Sequence, residues 1–164
     1  MNQVIASIIT GVLGLLGGTL GFYYANRYLE QRRQYLSTKR EQLQHVFAPL
    51  EILMKMNKAE FNRYFKDDTA THDREFIEKN VWHPNNLEIK RIIMENSHLL
   101  TEIPEELLRL LTHINVWLSE FEMIYVKKKK EPPVFGGPKG YRYPSEVDDY
   151  IYSRTEELRQ ILNR

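Results

Sequence analysis

Val4 to Ala25 reads VIASIITGVLGLLGGTLGFYYA, 22 residues without a charged side chain. As a helix rising 1.5 Å per residue it would be about 33 Å long, enough to cross a hydrocarbon core of about 30 Å. A cleaved secretory leader is the rival reading. It needs a basic start, a shorter apolar core and a small-residue cleavage site. Here Met1-Asn2-Gln3 is uncharged and the run ends in Phe22, Tyr23 and Tyr24. The expectation is an uncleaved transmembrane anchor over 1–26, followed by a cytoplasmic domain over 27–164.

The flank sets the expected direction. Residues 27–40 carry Arg27, Arg32, Arg33, Lys39 and Arg40 against Glu30 alone. Basic flanks stay in the cytoplasm, and aromatic residues collect at the interface. The expected location is the inner membrane, single-pass, with the N-terminus outside. Arg27, Arg32 and Arg33 would contact lipid headgroups, as would the later run Lys127, Lys128, Lys129 and Lys130.

Within the run, Ser7, Gly11, Gly14, Gly18, Gly21 and Ala25 are spaced 4, 3, 4, 3, 4. That spacing puts small residues in one seam along a helix. Lipid gives helices no hydrophobic reason to pair, so close backbone approach through small residues supplies the contact. Glycine costs about 1 kcal/mol relative to alanine in a helix. The seam therefore predicts self-association, that is, a homo-oligomer, with a pore as one alternative form of it.

The remainder reads as helix almost throughout. The chain has 164 residues and no cysteine, which excludes disulfides, thiolate metal sites and cysteine nucleophiles. Leu43, Val46, Phe47, Leu50, Leu53, Met54, Asn57, Phe61, Tyr64 and Phe65 recur at three and four. Pro49 should bend that helix near 45–48. A short helix fits Arg74–Trp82, and His83-Pro84-Asn85-Asn86 has turn chemistry with Asn86 as N-cap. Leu87 to Met94 gives another helix. Pro104 opens the next at its first helical position, and the apolar face continues to Tyr125. Four prolines and three glycines break 131–144, EPPVFGGPKGYRYP. Val134, Phe135, Tyr141 and Tyr143 are suited to dock that loop. Ser145 starts the last helix, with Asp148 at the capping-box position. The predicted fold class is all-α, a transmembrane helix continuing into an antiparallel cytoplasmic bundle of about four or five helices.

Net charge is +1. A nucleic-acid binder is usually more basic, so lipid is the expected partner of the basic clusters and nucleic acid the alternative. A cytoplasmic protein partner is the expected target of the bundle. No cofactor is predicted, and the histidines lack metal-ligand spacing. His113 reads as a core or boundary residue. The acidic cluster Asp67, Asp68, Asp73 reads as a solvated loop.

Phe47-Ala48-Pro49-Leu50, Asn85-Asn86, Asn96-Ser97-His98-Leu99-Leu100 and Gly140-Tyr141-Arg142-Tyr143-Pro144 resemble small uncharacterised bacterial proteins with one N-terminal transmembrane helix and a cytoplasmic helical domain. The layout also resembles membrane-anchored HEPN-like antiphage and CRISPR accessory proteins. That resemblance implies bacterial antiviral defence and raises ribonuclease chemistry. HEPN ribonucleases pair an Arg with a His a few residues later. Arg40 with His45 and Arg91 with His98 match that spacing. Twelve Arg and five His supply about one such pair by chance. The expected function is therefore a non-enzymatic, membrane-anchored, self-associating module, with a tethered ribonuclease as the alternative.

Overall fold

The computed structural model describes residues 2–66, 74–128 and 142–163; within these, the side chains of 2–20, 65 and 66 lie outside what is described. All regular structure among the described residues is helical. The helices are α1 (Asn2–Gln42), α2 (Ala48–Lys66), α3 (Arg74–Ile77), α4 (His83–Glu95), α5 (Glu105–Phe121) and α6 (Glu146–Leu162). Contacts divide the chain into two compact units, with the boundary inside α1 between Thr38 and Lys39.

In the first unit, Phe22, Tyr23, Tyr24 and Tyr28 are all exposed, Phe22 at 71%. Arg27, Arg32 and Arg33 follow, also exposed. Among the described residues no helix is long and apolar enough to cross a membrane. The side chains of Val4–Leu20, on which the anchor expectation rests, lie outside those described.

The second unit is a bundle of α2, α4, α5 and α6. Packing joins α2 to α4, α4 to α5, α5 to α6, and α6 back to α2. The ring is closed in chain order. Its core runs from Phe47 and Leu50 through Ile89, Ile93, Leu107, Leu110 and Ile114 to Ile151 and Leu158. Each such side chain contributes about 1.5–3 kcal/mol when fully buried. Ile77, Trp82 and Trp117 form a second cluster, packed with Phe121.

Both internal prolines sit in the same device. A proline lacks the N–H for the i−4 carbonyl, and its ring collides with that carbonyl. A wider π-turn relieves both problems. Leu43–Phe47 forms one before Pro49, closed by the Ala48 N–H donating to the Leu43 carbonyl. Glu78–Trp82 forms another before Pro84, closed by the His83 N–H donating to the Glu78 carbonyl. Where a bend was expected before Pro49, the helix widens into this π-turn. The turn expected at His83–Asn86 is not present: the chain stays helical from Arg74 to Glu95, and Asn86 is a buried helical residue rather than an N-cap.

Two further termini differ from expectation. Pro104 is extended and precedes α5, its carbonyl accepting from the Leu108 N–H at 3.1 Å. Ser145 caps α6 through backbone alone. Asp148 does not complete a capping box, because its carboxylate is engaged elsewhere. Lys128 ends the helical run after α5 with φ 53°, the left-handed conformation common just past a helix end.

Candidate functional site

A cavity of about 330 Å³ opens at one end of the bundle, and every helix of the ring contributes to it. Met54, Trp82, Ile89 and Leu110 are buried and make its floor. Phe61 and Tyr143 are exposed in part and stand at its mouth. The topology explains the convergence. The middle and second half of α2, the middle of α4, the middle of α5 and the start of α6 meet here.

Asp148 organises the polar side. It is 8% exposed and lies on the buried stripe of α6 with Ile151, Thr155 and Leu158. Lys58 Nζ donates to its Oδ2 at 2.8 Å, across 90 residues of chain. Tyr143 OH donates to its Oδ1 at 2.5 Å. A carboxylate this buried needs such partners, because desolvation penalises an unpaired charge. The hydrogen bond to Asp148 raises the Lys58 pKa above its ordinary value. Burial, then the Asp148 bond, pushes the Tyr143 hydroxyl up, even though part of its ring surface is exposed. Tyr143 therefore stays protonated as a donor. His113 meets the Tyr143 ring edge-on with centroids 5.4 Å apart. Of the four residues expected to dock the loop, Tyr143 makes these two contacts with the bundle, and Val134, Phe135 and Tyr141 lie outside the described residues.

Amides stitch the wall. Asn85 Nδ2 donates to Asn57 Oδ1 at 2.8 Å, and Asn57 Nδ2 donates to Asn86 Oδ1 at 3.3 Å. These bonds tie α2 to α4 beside the cavity. Phe61 and Trp82 add a tilted ring pair with centroids 6.5 Å apart.

The cavity was not foreseen from sequence. Its signals were polar residues on apolar stripes: Asn57 in the α2 repeat and Asp148 on α6. Thr155 is fully buried, its hydroxyl donating to the Ile151 carbonyl at 2.7 Å. A polar side chain at a core position implies a buried partner.

The residues singled out from sequence lie elsewhere. Arg40 and His45 are exposed, His45 within the first π-turn. Arg91 is held by its own helix, Nε and Nη2 donating to Glu88 at 2.7 and 2.6 Å, and Nη1 to Glu95. His98 is exposed at the end of α4, its Nδ1 3.1 Å from the Glu95 carbonyl oxygen. None of the four lines the cavity. Among the described residues no group of three acidic or histidine side chains gathers to hold a metal ion.

Of the seam, Gly21 and Ala25 are exposed, and a Cβ at Gly21 would meet nothing within 4 Å. The side chains of Ser7, Gly11, Gly14 and Gly18 lie outside those described. Lys127 is exposed and pairs with Glu122 at 3.0 Å, Lys128 is exposed, and Lys129 and Lys130 lie outside the described residues.

No protein-family model matches the chain, and no curated protein or solved structure does either.

Proposed function

We propose that the protein is a single-pass, self-associating membrane module whose four-helix domain faces the cytoplasm and engages a protein partner there. One observation carries this reading. The uncharged run Val4–Ala25 continues on the same helix into exposed Phe22, Tyr23, Tyr24 and Tyr28 and then exposed Arg27, Arg32 and Arg33. Three consecutive large aromatic side chains, all exposed and fanned around more than half of a helix, suit a headgroup interface and are costly in water. The arginines suit the anionic inner leaflet just beyond it. The outer face of α2 carries Ile52 and Met56, one turn apart and both exposed, and these are the partner contacts of the reading. The resemblance in layout supplies the bacterial antiphage setting.

Assembly through the small-residue seam is testable directly. Gly14→Leu or Gly18→Leu will weaken self-association of the membrane segment at least several-fold while leaving insertion intact. Leucine favours insertion, but its side chain holds neighbouring backbones apart. Leu13→Ala and Leu20→Ala lie off the seam and will change association little. The measurement is a membrane-segment association assay with insertion scored in parallel. If all four substitutions are equally harmless, the seam does not drive assembly.

A further inference from the structure

We infer that the cavity at the end of the bundle is a binding site for a small, flat aromatic molecule with a neutral head that both donates and accepts hydrogen bonds. This inference is independent of the membrane reading, since every lining residue lies in the second unit.

Native cores leave few voids larger than a water molecule. A space of about 330 Å³ is at the lower end of the roughly 300–1,000 Å³ that small-molecule sites occupy. Its floor is apolar and buried, so a polar ligand would lose hydration there without return. The rings of Phe61, Trp82, His113 and Tyr143 all line it, and a lining this aromatic favours a flat π-system. Met54 adds a polarizable sulfur side chain to the same floor.

The head group follows from the Lys58–Asp148 pair. The two partners line the same cavity and are already joined. An anionic head would face the Asp148 carboxylate, and a cationic head would face the Lys58 ammonium. A neutral amide satisfies both. Its carbonyl accepts one of the remaining Lys58 N–H bonds, and its N–H donates to a remaining Asp148 lone pair. Such dual recognition rejects isosteres that lack one of the two functions.

The test uses the full chain in lipid nanodiscs with 6-fluoro-2-naphthamide as probe, followed by fluorine NMR. Protein-free discs correct for partition into lipid. The amide will bind saturably, one per chain, with a Kd below about 1 mM. The isosteric 6-fluoro-2-naphthoate will bind about tenfold more weakly, because its carboxylate faces Asp148. Lys58→Met, at a half-exposed side chain, will weaken the amide by about fivefold or more by removing one charge-assisted hydrogen bond. Leu110→Phe will fill the floor and abolish binding. If Leu110→Phe does not fold, Lys58→Met decides alone. Amide signals that match protein-free discs would overturn the site. Naphthoate binding as tight as the amide, or unchanged affinity in Lys58→Met, would overturn the assignment of the head group.

Discussion

Phe47→Ala will destabilise the cytoplasmic bundle by about 3–5 kcal/mol, the usual loss for deleting a buried phenylalanine side chain. Phe47 is 1% exposed and is the last residue of the first π-turn. Its ring meets Tyr150 edge-on with centroids 6.2 Å apart. The Arg154 guanidinium lies 5.9 Å from the ring centroid. Removing the ring strips contacts from α6 and leaves a void where α1 turns into α2. Domains are typically stable by only about 5–15 kcal/mol, so the loss is a large fraction of the total. The melting temperature should fall on the order of 10–15 °C. Ile52→Ala, at a position 59% exposed, should stay within about 0.5 kcal/mol of wild type. Thermal melts of both variants followed by helix signal check this, and a Phe47→Ala melt matching wild type would show that the π-turn is not anchored by that ring.

Deleting residues 1–26 will move the protein from the membrane pellet to the supernatant and leave a helical domain with a cooperative melt. The reason lies in the core. Among the described residues, every member of both clusters lies at or beyond Leu43, from Leu43 itself to Leu158. The apolar faces of α2, α4, α5 and α6 bury one another in a closed ring, so they need no lipid to fold. The residues left ahead of Lys39 are mostly polar, charged and exposed. Fractionation and circular dichroism of the truncated chain check this. An aggregated product would mean that the apolar run completes the fold.

The bundle was legible where local pattern and tertiary need agree. The Leu-rich stripe of α5 buries Leu107, Leu110, Leu111, Ile114 and Trp117, as its period requires. Pro49 marked the place of its π-turn for a reason that acts within one turn. Asn85-Asn86 was illegible for the opposite reason. Their turn propensity is local and weak, and it is outweighed by amide bonds to Asn57 on another helix. Asp148 misled in the same way: its spacing from Ser145 satisfies a capping box, but Lys58 and Tyr143 hold both its oxygens. Neither partner is marked by any period in the sequence. The cavity is assembled from all four bundle helices, and its existence depends on which helices neighbour which around the ring. That order is a tertiary fact that short-range pattern does not encode.

A single membrane crossing with the bundle inside is directly measurable, because the chain has no cysteine. Single cysteines are introduced by Asn2→Cys, Leu15→Cys and Ser37→Cys, and intact cells are treated with a membrane-impermeant maleimide. With this topology Asn2→Cys labels from outside, and Ser37→Cys labels only after the membrane is opened. Leu15→Cys, at the middle of the apolar run, resists labelling in both conditions. Labelling of Ser37→Cys in intact cells, or free reaction of Leu15→Cys in opened ones, would contradict it.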